Sequence, residues 1–239
     1  SDLPKGFQIT QDKRPIGRNG YLMIEVDGEE KRIDIERLHM EEDTAKQLHL
    51  TDYSLIDYNR AGIPLIEIVT KPCIRSGKEA SAYLEALRQV FLYTEVSDAK
   101  LEEGSMRCDV NVSIRPFGQE AFGTRTEIKN LNSISNVQKA IDYEAGRQQE
   151  VIESGGEVLQ ETRRYDEVEK ITTVMRSKGD AVDYKYYTEP NILPIRLDHA
   201  WVEQIKDELP MMAGEREKHY EEEYGIPKVD AKILVSTKS

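Results

Sequence analysis

Apolar and polar positions first alternate with period two. Tyr21-Leu-Met-Ile-Glu-Val26 runs into Asp27-Gly28, a strong hairpin-turn signal, and Lys31 to Met40 returns. On the return, Ile33 and Ile35 share one face. The apolar parity then moves to Leu38 and Met40. A one-residue slip turns a strand over, so the spacing predicts a bulge near Glu36-Arg37. Such a bulge re-aims the side chains that follow, here His39, Glu41, Glu42 and Asp43. Ile63 to Thr70 is almost continuously apolar, as a strand buried on both faces would be, and Glu67 interrupts it. Arg107 to Arg115 alternates cleanly. Cys108, Val110, Val112 and Ile114 form its apolar face, and Arg107, Asp109, Asn111, Ser113 and Arg115 its polar one. Thr124 to Asn130 places Arg125, Glu127 and Lys129 on one face, and further strands are predicted at Glu161 to Tyr165 and Thr172 to Ser177.

Two segments carry the helical period instead. The first starts at Ser76 with Glu79 completing a capping box, and Ala80, Tyr83, Leu84, Leu87, Val90 and Phe91 follow. The second starts near Ser133 to Ser135, with Gln138 placed for a box. It carries a stripe of Ile134, Val137, Ile141, Ala145, Gln148 and Ile152, and stops at Gly155-Gly156. After Pro194 the texture becomes helical and acidic, at Trp201 to Leu209 and Ala213 to Tyr224, with Pro210 between them as a boundary. Strands, helix, strands, helix, strands and then helices predict an α+β fold with antiparallel strands rather than alternating βαβ units.

Composition narrows the function. The 239 residues hold 33 Lys and Arg against 45 Asp and Glu, a net charge of −12. That balance argues against a free-standing DNA coat or basic RNA-binding arm, since phosphate contacts need clustered cations. It leaves open a nucleic-acid enzyme whose basic surface lies elsewhere. Two cysteines, Cys73 and Cys108, exclude a disulfide framework and a four-Cys zinc site, and read as small buried hydrophobes. No apolar run reaches membrane length and no signal peptide is visible, so the simplest compartment is cytoplasmic. The chain begins Ser1-Asp2-Leu3-Pro4 and ends just beyond Ile233-Leu234-Val235, so both ends read as cuts through a longer protein.

There is no GxxxxGK[ST], GxGxxG, HExxH or GxSxG, and the four histidines show no metal-ligand spacing among themselves. What remains is a set of carboxylates on strands: Glu42 after the bulge, Glu67 in an apolar run, and Asp109 and Glu127 beside Arg107, Arg125 and Lys129. Carboxylates converging on one sheet face repel unless a cation joins them. Mg²⁺, usually held by a few carboxylates plus substrate phosphates, is the natural choice, and phosphoryl transfer the matching chemistry. Simpler readings stand beside these. Asp109 between arginines reads as a solvated cross-strand ion pair, Glu41-Glu42-Asp43 as an acidic turn, and Glu127-Ile-Lys129 as an exposed strand pair. Glu67 divides evenly between a functional role and a buried salt bridge.

Longer motifs then become recognisable. Asp57-Tyr-Asn-Arg-Ala-Gly-Ile-Pro-Leu-Ile-Glu-Ile-Val69, Glu102-Glu-Gly-Ser-Met-Arg-Cys-Asp-Val-Asn-Val-Ser-Ile-Arg115 and Thr126-Glu-Ile-Lys-Asn-Leu-Asn-Ser133 resemble the GatB family, the B subunits of the aspartyl/glutamyl-tRNA amidotransferases. So do Arg37-Leu-His-Met-Glu-Glu-Asp43, Gln160-Glu-Thr-Arg-Arg164 and Asp183-Tyr-Lys-Tyr-Tyr-Thr-Glu-Pro190, and the likeness spans essentially the whole chain. The archaeal E subunit shares parts of the pattern, and Lys129-Asn-Leu-Asn-Ser133 looks more like GatB.

The resemblance implies an antiparallel-sheet cradle with flanking helices like that of glutamine synthetase. That gives a catalytic cradle domain over 1–209 and the beginning of a helical domain over 210–239. It implies a heterotrimer with an amidase A subunit and a small C subunit. It also implies ATP and Mg²⁺ as cofactors, and a misacylated Glu-tRNA(Gln) or Asp-tRNA(Asn) whose side-chain carboxylate is phosphorylated and then amidated with glutamine-derived ammonia. By resemblance Glu42, Glu67 and Asp109 are Mg²⁺-ATP ligands and Glu127 a further one, while Arg107 and Lys129 are candidates to stabilise phosphate charge. A Glu-x-His pair that helps bind the family's metal precedes Ser1 and is missing, as are the parts that mainly meet tRNA, so the chain alone is expected to be inactive or nearly so. A non-catalytic scaffold subunit and a ligase acting on a free acid are the alternatives. A scaffold could dispense with Glu42, Glu67 and Asp109, and the whole-chain match argues against the free-acid ligase.

Overall fold

A computed structural model describes residues 2–11, 13–177 and 189–238 of the chain. It divides into two units. The first comprises 1–22, 32–73 and the described part of 182–197, and the second 23–31, 74–181 and 198–239. Within the Asp183–Pro190 motif, 183–188 lie outside the described residues.

The first unit is organised on a sheet of order β1-β2-β5, with β1 at Gly17–Val26, β2 at Glu29–Glu42 and β5 at Pro64–Thr70, the hairpin end over 23–31 being counted with the second unit. Asp27 and Gly28 both take positive φ, +53° and +84°, the backbone a two-residue hairpin turn with right-handed strand twist demands. The register of β2 against β5 slips between Ile35 and Arg37, so the bulge lies where the change of apolar parity predicted it. Ile33, before the bulge, is fully buried. Beyond it His39 stands opposite Glu67, Glu41 opposite Leu65 and Glu42 opposite Pro64.

The expectation that β5 is buried on both faces is corrected. It is an edge strand with only β2 beside it among the described residues, Ile63 and Ile66 are exposed, and the Glu67 side chain is half-buried. A second hairpin, β3 (Lys46–His49) and β4 (Ser54–Asp57), has no counterpart among the strands that the hydrophobic pattern predicts. Its strands have four residues each and β4 is exposed throughout, so no buried face imposes a hydrophobic period.

The second unit packs one helix on a four-stranded sheet of order β6-β7-β8-β9 and another helix against the first. Its strands are β6 (Val110–Val112), β7 (Thr126–Lys129), β8 (Glu161–Asp166) and β9 (Ile171–Ser177). Its β6 is much shorter than the predicted Arg107–Arg115 strand, leaving Arg107, Asp109 and Arg115 outside the ladder. The all-antiparallel expectation is also corrected, since β7 and β8 run parallel. They are joined through α2 (Ile134–Glu153), the helical crossover that a parallel pair needs.

Ser76 caps α1 (Gly77–Tyr93), its hydroxyl accepting from Glu79 N at 3.2 Å. The Glu79 carboxylate accepts from Arg75 N at 2.6 Å, one residue earlier than a capping box requires. Ala80, Tyr83, Leu84 and Leu87 are buried, as their period predicts. Ser133 caps α2 through Asn136 N, so Gln138 stands too late to close a box.

The buried face of α2 is Val137, Ala140, Glu144 and Gln148, while Ile152 is exposed. The carboxylate Glu144 thus lies where the apolar stripe was expected. It is fully buried because it is fully partnered. It accepts from Arg147 at 2.7 and 3.0 Å, from Gln148 at 2.9 Å and from the Thr172 hydroxyl at 2.8 Å, and Arg163 Nε lies 3.6 Å away. Among the described residues three further helices follow: α3 (His199–Asp207), α4 (Ala213–Tyr224) and α5 (Lys228–Leu234). Tyr93, at the end of α1, packs with Ala213 and Val235, and its hydroxyl donates to Val235 O at 3.1 Å.

Candidate functional site

The bulge decides which side chains of β2 meet β5. Past it, His39 and Glu41 lie two residues apart and therefore share a face. His39 is directly opposite Glu67. Its Nε2 lies 3.1 Å from Glu41 Oε1 and 3.5 Å from Glu67 Oε2. One ligand atom from each of these three residues lies within 4.8 Å of the others. Glu41 is fixed from a second side, accepting from the Gln8 amide at 3.2 Å and from the Thr10 hydroxyl at 3.2 Å.

Burial raises the Glu67 carboxyl above its usual value, and the charge of Glu41 raises it further, against lowering by His39 and Arg37. Two carboxylates held together at the sheet edge therefore hold a proton or a cation more readily than either would alone. The imidazole is almost fully buried, and its Nδ1 has no hydrogen-bond partner among the described residues.

The donor set fits a hard divalent cation. Mg²⁺ is usually bound by one or two carboxylates with the rest of its shell taken by water and substrate phosphates, and Glu41 and Glu67 can supply the carboxylates. His39, whose nitrogen suits softer metals better, fits as the group that orients Glu41.

Glu42 does not join this cluster. It turns to the opposite face of β2 and accepts from Lys5 Nζ at 2.6 Å and from Ile9 N at 3.1 Å, tying residues 5–9 to the strand. The predicted bulge points to His39, Glu41, Glu42 and Asp43 together, and the ligand set implied by the resemblance keeps Glu42 and leaves out His39 and Glu41. The available signal is the His-x-Glu spacing set across from Glu67. It is missed when histidines are compared only with one another.

The remaining candidates gather in the second unit. Lys129 Nζ donates to Asp109 at 2.6 Å and lies 3.2 Å from Glu127, whose other oxygen accepts from the Thr162 hydroxyl at 2.9 Å. Burial works against the Lys129 charge, but Asp109 and Glu127 outweigh it and hold the amine above its usual value, so it is a firm cation. Arg107 lies exposed in the segment before β6. Burial pushes the neighbouring Cys108 thiol up to about 12, so it is protonated and unreactive at neutral pH. The hairpin thus presents a lysine clamped between two carboxylates. That arrangement can meet a phosphate through the amine, or a cation through the acids if the amine swings away.

With the geometry in place, comparison with known proteins is specific. The family profile described as the GatB/GatE catalytic domain matches residues 1–203. The chain is 54% identical over 237 residues to the B subunit of the aspartyl/glutamyl-tRNA(Asn/Gln) amidotransferase of Staphylococcus saprophyticus subsp. saprophyticus. It is 55% identical over 237 residues to the proteins of that name from Staphylococcus aureus strain MRSA252 and Staphylococcus carnosus strain TM300. Each match covers 99% of this chain and 50% of the relative, so the chain spans about half the length of the curated relatives it matches. No described helix is long and apolar enough to cross a membrane. A profile match over most of the chain and identity above one half along nearly all of it lead to one conclusion: the chain belongs to the GatB/GatE catalytic domain family.

Proposed function

We propose that this chain carries the carboxylate-activating site of a tRNA-dependent amidotransferase. In this reading the side-chain carboxylate of Glu-tRNA(Gln) or Asp-tRNA(Asn) attacks the γ-phosphorus of ATP, ADP leaves, and an acyl phosphate forms. Ammonia from an amidase partner then attacks the acyl carbon, phosphate departs, and a proton is lost to leave the amide. A free carboxylate is a poor acyl donor, and phosphorylation supplies its leaving group. The relatives' printed names supply the substrate class, amidation of aspartyl- or glutamyl-tRNA.

One observation carries the reading: Glu41 and Glu67 are held against one buried imidazole at a sheet edge, with Glu67 raised by burial and by its neighbour's charge. A bound Mg²⁺ would neutralise the phosphate oxygens as charge shifts onto the leaving ADP. The chain's own residues do the rest. Glu41 and Glu67 hold the cation, His39 with Gln8 and Thr10 fixes Glu41, and Asp109, Glu127, Lys129 and Arg107 remain candidates for nucleotide and phosphate contacts.

A cradle like that of glutamine synthetase, a heterotrimer with an amidase and a small third chain, and a cytoplasmic setting belong to the same proposal. So does the expectation that the chain alone is inactive or nearly so. A non-catalytic scaffold would dock tRNA and amidase with no use for paired acids that repel one another.

The test uses the full-length protein assembled with its partner subunits. Glu67→Gln should abolish ATP-dependent conversion of Glu-tRNA(Gln) to Gln-tRNA(Gln) while glutamine hydrolysis persists. Undiminished conversion would leave the scaffold reading. Free glutamate in place of Glu-tRNA should give no amide, and amide formation there would favour a small-acid ligase.

A further inference from the structure

The loop between β6 and β7 is braced from within and carries two aromatic rings. It contains Ser113-Ile-Arg-Pro-Phe-Gly-Gln-Glu-Ala-Phe-Gly-Thr-Arg125. Its neck is closed by Gly123, where any side chain would collide, since a Cβ there would lie 2.1 Å from the Ile114 carbonyl oxygen. Its tip is a turn in which Gln119 N donates to Pro116 O at 3.1 Å, with Gly118 at φ +84°, the third-position geometry of a type II turn. The Gln119 side chain donates to Ala121 O at 2.9 Å, and Arg115 donates to the Glu120 carbonyl. The loop is therefore internally braced.

This braced loop holds two aromatic rings in solvent. Phe117, at the turn, is fully exposed (108%), and Phe122 is 55% exposed. The Arg115 guanidinium lies over the Phe122 ring, 4.7 Å from its centroid. Arg125 is exposed and makes no hydrogen bond or ion pair with any described residue. Arg115 and Arg125 outnumber the loop's one carboxylate, Glu120, on a chain that is acidic as a whole.

We propose that this loop is a stacking site for the unpaired bases of an RNA strand. Exposed rings interleaved with arginines match what a single strand offers, a π-face on every base and a phosphate between successive bases. Phe117 inserts against a base, the Arg115–Phe122 pair carries a second, and Arg125 meets the backbone. An apolar protein partner would bury the rings but leave both guanidinium groups facing it. A small nucleotide would call for a concave site, whereas Phe117 stands proud on a turn tip. The inference is independent of the carboxylate-activation reading, because it uses none of those carboxylates.

The experiment measures fluorescence anisotropy of a labelled mixed-sequence single-stranded RNA octamer with the full-length protein in its complex. A blunt RNA duplex is the second probe and ATP binding the third readout. Phe117→Ala should weaken octamer binding about 5- to 150-fold, the range for losing one stacked base. It should leave duplex and ATP binding unchanged. Phe117→Leu, which keeps apolar bulk but no π-face, should lose as much, and Phe117→Trp should bind as wild type. Arg125→Ala should lower the steepness of the octamer's log–log salt dependence by about 0.7, the value for one phosphate contact on a single strand. Octamer binding unchanged in Phe117→Ala and Phe117→Leu would overturn the proposal. So would an equal loss with the duplex, or a parallel loss of ATP binding, which would assign the loop to the nucleotide.

Discussion

Glu144→Ala removes the one acid at the centre of the second unit's buried polar network, and the cost follows from what is left behind. Arg163 keeps the Thr172 hydroxyl at 2.8 Å, the Thr172 carbonyl at 2.7 Å and the Glu161 carboxylate. Gln148 keeps Val112 O at 3.1 Å. Arg147 loses both of its short bonds and retains only Glu161 at 4.0 Å. Breaking a buried pair by deleting one partner costs about 3–5 kcal/mol. Arg147 is partly exposed and can turn to water, and Arg163 keeps another acid, so the lower end applies, about 3 kcal/mol.

Hydrogen exchange read by mass spectrometry reports this locally within the full-length protein. Protection of peptides over 134–153 should fall about 150-fold at about 1.4 kcal/mol per factor of ten. Gln149→Ala, which removes only the exposed contact with Glu153 at 2.7 Å, should leave protection within a few-fold of wild type. Glu144→Gln, which keeps the shape, should fall between the two.

The pH dependence has a defined sign. Burial works to raise the Glu144 carboxyl, but hydrogen bonds from Arg147, Gln148 and Thr172 outweigh it and hold the group below its ordinary value of 4.5. A lowered folded pKa gives stability that is complete above the unfolded value and lost as pH falls through the folded one. The gap between wild type and Glu144→Ala should therefore be constant above the ordinary carboxylate range and close in acid below it. Protection within about five-fold of wild type in Glu144→Ala at neutral pH would refute the reasoning.

Other expectations follow from single side chains. Gly123→Ala forces its Cβ against Ile114 O, so the β6–β7 neck should open and trypsin should cut after Arg125 faster than in wild type; an unchanged cleavage rate contradicts the close approach. Cys108, with its thiol pushed up to about 12, should resist alkylation at pH 8, where about one molecule in ten thousand is thiolate; rapid labelling would show that the thiol is not buried. Asp109→Asn breaks a half-exposed pair with Lys129, and such pairs contribute about 0–1 kcal/mol, so thermal stability should barely move. In the assembled complex the same change should collapse amide formation while glutaminase activity persists, and unchanged amide formation would make Asp109 a structural ion pair.

Much of this was legible in the sequence where one periodicity dominates. The β1–β2 hairpin, its bulge at Glu36, the caps at Ser76 and Ser133 and the bounds of α4 all follow from local signals. Local signals mislead where a neighbour decides. Continuous apolarity in β5 reads as two-sided burial, yet among the described residues the strand sits at a sheet edge with Ile66 exposed. The parallel pairing of β7 with β8 is a long-range choice made by α2, invisible in either strand. Glu144 reads as surface by chemistry and becomes core because Arg147, Arg163 and Thr172 converge on it from α2, β8 and β9. The candidate site was legible in part. Glu67 stood out as a charge in an apolar run. Choosing Glu41 over Glu42 as its neighbour needs the register of β2 against β5, which the one-residue slip sets.

The central claim is that Glu41 and Glu67, with His39 against them, form the divalent-cation site. The most direct measurement is Mn²⁺ binding, as a stand-in for Mg²⁺, by electron paramagnetic resonance on the full-length protein in the presence of ATP. It compares wild type with Glu41→Gln, Glu67→Gln and Glu42→Gln. The account predicts binding weakened at least about ten-fold in the first two variants and retained in the third, where only the tie to Lys5 and Ile9 is lost. Binding retained in Glu41→Gln and Glu67→Gln but lost in Glu42→Gln would contradict it, placing the cation on the other face of β2.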